Sequence, residues 1–481
     1  MISRSTKYFA AAICLLLSVG AQAAPEQARS ADSFVDSIGV NTHWNYPDTP
    51  YGSEYARVKQ LIVASGIRHV RGEFSRARDL AASGITTMVC LGPGHNEDGS
   101  LDTVRKFQTQ VKAANAGGIN AVDWVEGPNE PDLFWQKSEN GDAHGYGAIT
   151  YQGQGYAQGD QGIIQGVMAF QKDLYTVFKA DPATASLKII GPALGKTYGY
   201  DVKSPYGVGT LSHYVDYGNF HPYPGGNPFS DRAGYDTLSW YIGHGTQPSA
   251  NMDEFPYAFD VYAPPFAPQP MACSESGYST FTNGQTEAVQ AKYIPRLFCE
   301  YFLHQIKRTY LYEFLDAFDN KSDRDSNFGL VRHDLSPKPS YSAVKNLLSL
   351  LSDKGAAAFQ PKKLDYTLAV SPVLGYKEPG SGQAVNYDRT QYVHHLLLQK
   401  RSGDFFLVLW HEISDEDGGV DPHRVVTPPA MPTILTLPTS IKSATVFVPN
   451  NSMTGSPMPI RNNHIQLSVP DELMIVRLSN H

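Results

Sequence analysis

Trp124-Val125-Glu126-Gly127-Pro128-Asn129-Glu130-Pro131-Asp132 is the stretch on which the reading of the fold turns. Its opening residues complete a β-rich run that begins at Ala121, and Gly127, Pro128 and Pro131 then interrupt any regular element. The strand therefore stops at a sharp turn, with Asn129 and Glu130 on its lip. A second stretch, Met271-Ala272-Cys273-Ser274-Glu275-Ser276-Gly277-Tyr278, repeats the design of apolar run, acid and glycine.

Outward from these two stretches the chain repeats one theme. Ile38 to Trp44, Ile67 to Phe74, Ile85 to Leu91 and Ala121 to Glu126 read as strands. Leu187 to Pro192, Val215 to His221, Pro270 to Glu275 and Thr309 to Leu315 supply four more. Helix-period stretches alternate with them: Tyr55, Val58, Leu61 and Ile62 ahead of Gly66, then Leu101 to Ala114, Gly162 to Lys179, Glu287 to Lys307 and Ser340 to Leu351. Eight such units predict an α/β chain folded as a (β/α)8 TIM barrel. The competing doubly wound sheet lacks its glycine-rich phosphate loop here. Beyond Asp353, strand-like runs broken by Pro, Gly, Asn and Asp predict a C-terminal antiparallel β-sandwich. The expected division is residues 1–24 signal peptide, 32–352 barrel and 353–481 sandwich.

The leader is read from Arg4 and Lys7, the apolar run Phe9 to Val19, and the small-residue site Ala21-Gln22-Ala23-Ala24. It predicts an exported protein, secreted or periplasmic, and no later run is long and apolar enough to predict membrane insertion. The formal charge is −8, and removal of Arg4 and Lys7 takes it to −10, which argues against a nucleic-acid partner. Cys90, Cys273 and Cys299 remain after the leader, widely spaced and in apolar surroundings, so buried thiols are expected, with a Cys273–Cys299 bridge as the alternative.

Two connections are long, Asp132 to Gln161 and Pro222 to Gln269, and both leave strand C-terminal ends, the face where barrel active sites lie. They carry aromatics, including Trp135 and Tyr223, that could lie against the flat faces of sugars or simply pack among themselves. Glycosidic hydrolysis needs an acid for the leaving oxygen and, in a retaining enzyme, a carboxylate about 5 to 5.5 Å away to capture the sugar carbon. Glu130 and Glu275 end the fourth and seventh strands, from which both could reach one central site. Either alone could instead cap a helix or sit in a salt bridge. Asn129 could bind a sugar hydroxyl, and His43, ending the first strand, faces the mouth or its wall. Glu126 is expected deeper in the barrel, paired with Arg71 or another cation.

Gly-Pro-Asn-Glu-Pro on the fourth strand and Ser-Glu-Ser-Gly-Tyr on the seventh resemble the signature of the clan A retaining glycoside hydrolases. Among its families the chain is most similar to family 39, including bacterial exopolysaccharide endo-glycosidases, with family 5 next. The resemblance implies Glu130 as acid/base, Glu275 as nucleophile, Arg71 steadying that nucleophile, and His221 or Tyr223 beside the pair. It implies a carbohydrate substrate. The mechanism so read requires no metal or organic cofactor, and expects Glu130 to be kept protonated by the neighbouring negative charge and partial burial. One departure stands out: where many members carry Trp at the end of the eighth strand, this chain has Tyr312-Glu313-Phe314-Leu315-Asp316, so Glu313 or Asp316 is expected to bind sugar hydroxyls instead. A cluster of aspartates, Asp316, Asp319, Asp323 and Asp325, lacks the glycine and terminal glutamate of an EF-hand, and no calcium is expected there. The rival readings are a secreted carbohydrate-binding protein without catalysis and an exported scaffold.

Overall fold

The computed structural model describes residues 25–481 except 95–96, 135–148, 156–161, 196, 204–206, 225–261, 378–381, 383, 388–389, 414, 418–423 and 426. Eight parallel strands form its centre: β1 Ile38–Asn41, β2 His69–Arg71, β3 Thr86–Cys90, β4 Val122–Glu126, β5 Lys188–Ile190, β6 Gly218–Phe220, β7 Met271–Ser276 and β8 Thr309–Leu311. They pair in the order β5-β4-β3-β2-β1-β8-β7-β6, and a bridge from Ile190 to Tyr217 joins the two ends into a barrel. This is the (β/α)8 fold read from the sequence, with a β-rich region after it.

Helices cover the outside: α1 Ala31–Asp36, α2 Tyr55–Ser65, α3 Phe74–Ala81, α4 Leu101–Ala114, α5 Gly162–Ala180, α6 Glu287–Leu303 and α7 Pro339–Leu351. Gly66 ends α2 at φ +83, a left-handed cap that glycine adopts without a Cβ penalty.

Strand periodicity explains the barrel interior. Met88, Trp124, Ile190, Ala272 and Tyr310 form a separate apolar cluster that plugs it. A Cβ on Gly39 would lie 2.5 Å from the Tyr310 ring, so glycine on β1 is what lets that ring fill the centre. Two residues further along their strands, on the same inward face, come Asn41, Glu126 and Ser274. The polar floor of the mouth is thus one layer above an apolar plug.

The C-terminal part holds β9 Thr367–Val370, β10 Val393–Gln399, β11 Phe405–His411, β12 Met431–Thr436, β13 Ser443–Val448, β14 Ser452–Met458, β15 His464–Val469 and β16 Met474–Ser479. The order β9-β12-β15 makes one sheet; β10-β11-β16-β13-β14 makes the other, and Arg29–Ser30 joins its edge beside β10. Alternate residues of the larger sheet part company. Leu397, Leu407, Leu409 and Val476 meet the smaller sheet, whereas Leu398, Phe406, Val408, Trp410 and Ile475 join the core around the barrel. Being covered on both faces, β11 is apolar almost throughout and buried along its whole length. All three described cysteines are free thiols.

Candidate active site

The mouth is organised around Arg71, the last residue of β2. Its Nε and Nη2 donate to Glu126 at 2.5 and 3.3 Å, and Nη2 also donates to Asn129 Oδ1 at 2.6 Å. Nη1 donates to Asn41 Oδ1 at 3.0 Å and to Glu275 Oε1 at 2.6 Å. These contacts use all five guanidinium donors. The cation is thereby fixed between a buried acid below, Glu126, and an acid at the surface of the mouth, Glu275.

Glu275 reaches that surface through an irregularity in β7. Between Cys273 and Ser276 the register against β8 slips, three steps on β7 facing two on β8. Such a bulge re-aims a side chain, and here it lets both Ser274 and Glu275 face the interior. Glu130 arrives differently. A Cβ on Gly127 would lie 2.1 Å from Gln171 Oε1, so glycine is needed where β4 leaves the sheet. Glu130 itself sits at φ +37, an unusual conformation for a side-chain-bearing residue, held by its N–H donating to Ala193 O at 2.8 Å.

His221 joins the two acids. Nδ1 lies 2.8 Å from Glu130 Oε1 and 3.7 Å from Glu275 Oε2, and Nε2 lies 2.7 Å from Ser274 Oγ. Burial disfavours its charged form, but Glu275, Glu126 and Glu130 outweigh this and raise its pKa to about 10. A protonated ring donates from both nitrogens, one to Glu130 and one to Ser274. Ser274 Oγ passes the contact on to Glu126 Oε1 at 2.7 Å, where Asn219 Nδ2 also donates at 2.9 Å.

The acids respond to these cations. Burial opposes ionisation of Glu126, yet Arg71 and His221 bring its pKa down to about 2. Glu275 is lowered as well: burial works against it, while His221, Arg71 and the Tyr223 hydroxyl, which donates to Oε2 at 2.6 Å, prevail. One carboxylate oxygen from each of Glu130 and Glu275 and a nitrogen of His221 lie within 4.8 Å of one another.

Six of the residues singled out in the sequence thus converge: Arg71, Asn129, Glu130, His221, Tyr223 and Glu275. Glu126 occupies the deep position expected of it, paired with Arg71. His43 lies to the side, its ring stacked on Tyr46 at 4.7 Å and edge-on to Tyr312 at 5.5 Å. Burial drops its pKa to about 4, leaving it neutral. Glu313 differs from expectation. It is 1% exposed and stands behind the lining, accepting from Tyr51 Oη at 2.9 Å, and burial raises its pKa well above the usual carboxylate range. Asp316 is likewise buried, receiving Lys338 Nζ at 2.8 Å. Tyr312, partly exposed, is the residue of this segment that borders the mouth. Trp135 lies outside the described residues.

Sequence reasoning did not select Asn41, Asn219 or Ser274. Two of them precede a selected residue by one strand period, Asn41 before His43 and Asn219 before His221, and that period-2 relation was the available signal. Ser274 directly precedes Glu275 and faces the same way only because of the bulge.

No protein-family model and no curated protein sequence matches the chain. Its structure does have neighbours. It resembles a family 39 glycoside hydrolase from the gut symbiont Bacteroides cellulosilyticus WH2, with a TM-score of 0.56 and 16% identity over 94% of this chain and 82% of that one. It also resembles the GH39 enzyme from Xanthomonas axonopodis pv. citri, with a TM-score of 0.54 and 14% identity over 96% of this chain and 99% of that one. What is shared is the fold. The likeness covers nearly the whole described chain, β-rich region included.

Proposed function

We propose that the protein is a retaining glycoside hydrolase that cleaves glycosidic bonds of an oligosaccharide or polysaccharide, with Glu275 as nucleophile and Glu130 as acid/base. The observation that carries this reading is the approach of the two carboxylates to within 4.8 Å of one another beside His221 Nδ1, at the C-terminal mouth of the barrel. That spacing suits direct attack and leaves little room for the water an inverting enzyme places between its acids. The family 39 fold of the neighbours supports the same reading.

In the first step Glu275 Oε attacks the anomeric carbon as Glu130 gives its proton to the departing oxygen; a carbon–oxygen bond breaks and an ester forms. Because His221 holds Oε1 of Glu130, the transferable proton belongs on Oε2. In the second step water attacks the anomeric carbon, Glu130 takes the water's proton, and the bond from that carbon to Glu275 breaks, releasing the carboxylate. Arg71 and Tyr223 hold Glu275 ionised and aimed before attack, and Asn129, with its carbonyl turned to Arg71, offers its amide N–H groups to a sugar hydroxyl. The leader read in residues 1–24 would place this activity outside the cytoplasm, which N-terminal sequencing of the protein from its native host checks.

Glu275→Ala should reduce kcat by a factor on the order of 10⁴ or more, as loss of a nucleophile does elsewhere. Added azide should restore turnover and yield a glycosyl azide of opposite anomeric configuration, read by NMR. Near-normal hydrolysis by both Glu275→Ala and Glu130→Ala proteins ends the proposal.

A further inference from the structure

Beyond the acids, a continuous line of rings runs along the β8 and β1 side of the mouth. It begins at Tyr223, whose hydroxyl is on Glu275, and passes to Tyr312 at 6.2 Å between ring centroids. From there it goes to His43 at 5.5 Å, to Tyr46 at 4.7 Å with the two rings nearly parallel, and to Phe318 at 5.9 Å. The line rises from the interior to the surface: His43 and Tyr46 are partly exposed and Phe318 is 51% exposed. Phe318 is one of the few large apolar side chains so placed among the described residues, and it lies on the segment following β8, at the end of the barrel that holds the acids.

The direction of the line matters. Its inner members sense Glu275, whose charge acts on both Tyr312 and His43. Glu130 is carried by β4, on the far side of the barrel from β8 and β1. The leaving group must lie at Glu130, so the sugar under attack and everything attached to its non-reducing side must lie toward the rings. The negative face of an aromatic ring complements the polarised C–H groups of a pyranose. His43, neutral and stacked, extends the platform without adding charge.

We infer that Tyr46 and Phe318 form a distal subsite for a neutral pyranose unit on the non-reducing side of the attacked sugar, so that the substrate is a chain and the released glycone is longer than one sugar. This rests on the glycosidase reading above and adds to it the class of substrate.

The test uses the full-length protein, soluble β-glucan, xylan, mannan and galactan, and the 4-nitrophenyl β-glycosides of the corresponding single sugars. Mass spectrometry of polymer digests made in ¹⁸O-water marks each newly formed reducing end. Released, labelled fragments of two or more sugars are expected from the hydrolysed polymer. Phe318→Ala should lower the ratio of kcat/KM on polymer to kcat/KM on aryl glycoside about tenfold through KM, the scale of one lost aromatic contact. Labelled monosaccharide as the sole product, or an unchanged ratio in both Phe318→Ala and Tyr46→Ala, overturns the inference and leaves the glycosidase reading standing. No cleavage of any probe, together with no retardation of Glu275→Gln protein in gels containing the four polymers, overturns both.

Discussion

Two of the buried charge clusters among the described residues end differently. At the seam between barrel and sandwich, α6 presents Lys292, Arg296 and Glu300 along one face, with His304 as its C-cap, each four residues from the last. Arg296 donates to Asp471 Oδ1 at 2.5 Å and to Ile413 O at 3.1 Å, and Lys292 lies 3.0 Å from Asp415. Trp410 Nε1 donates to both Glu300 and Glu412, at 2.8 and 2.6 Å, and His394 meets the same Glu300 oxygen at 2.5 Å. The side chains of Arg296 and Asp415 are 0% exposed. In the barrel mouth Arg71 is equally committed, but Glu130 and Glu275 keep 17% and 11% of their side chains open. A closed cluster can only hold surfaces together. A cluster that leaves two carboxylates at an opening, with cations fixed behind them, has charge to offer a reacting molecule.

The sharpest break in this comparison is Arg296→Met. Burial and Asp471 push Asp415 well above the carboxylate range, while Arg296, together with His411, Asp415 and Lys292, outweighs burial to hold Asp471 well below it. Removing the guanidinium leaves Asp471 buried with less compensation, a change that typically costs about 3 to 5 kcal/mol. Denaturant unfolding should show that loss, with kcat of the folded protein unaltered. A change under about 1 kcal/mol would mean the seam charges are not structurally coupled.

Glu126→Gln makes the complementary change in the mouth. It removes the anion beneath Arg71 and His221 while keeping the side chain's shape, and Arg71 still has Glu275. A drop in kcat of about 10² to 10³ is expected, the scale of losing one preorganised electrostatic partner. The unfolding midpoint should move less than in Arg296→Met. Glu126 acts here as a positioning residue, so the distinguishing readout is His221: its NMR titration should fall below the value of about 10 that the three acids support. An unmoved His221 titration would assign any loss of activity to packing alone.

The contrast also shows where sequence stops being informative. All eight barrel strands were legible, because parallel strands covered by helices are short apolar runs bounded by turns, and those are local properties. The lips of β4 and β7 were legible as well, since Gly127, Pro128 and Gly277 punctuate the chain beside their acids. The bulge in β7 was not, because register depends on a partner strand distant in sequence. Nor was the burial of Glu313, which is decided by Tyr51 arriving from the β1 side. In the C-terminal part, β14 and the Val373–Lys377 and Ala384–Tyr387 hairpin carry little sequence signal, because their mostly exposed faces show no apolar alternation. Nothing in the charged stripe of α6 itself marks it as buried. It is buried because a second domain covers it, which no local pattern records.

The smallest effect expected comes from His411, and it tests whether the seam is as closed as it looks. The side chain is 0% exposed, lies 3.9 Å from Asp471 Oδ1, and neither ring nitrogen has a hydrogen-bond partner among the described residues. Burial first, with Arg296 and Lys292 adding to it against the pull of Asp471, lowers its pKa from 6.5 to about 4. A histidine whose folded pKa is depressed binds its proton more readily when unfolded. Stability is therefore intact above pH 6.5 and drains away as pH falls toward 4, by up to about 3 kcal/mol for a shift of this size. His43 and His69 are depressed too, so the wild-type curve alone does not isolate the effect. The difference between wild type and His411→Leu does. Leucine cannot take the proton, and the gap between the two unfolding free energies should shift in the variant's favour between pH 6.5 and 4. Parallel curves would show that water or a local opening reaches His411 before the domain unfolds, and the seam would then be more like the mouth than its geometry suggests.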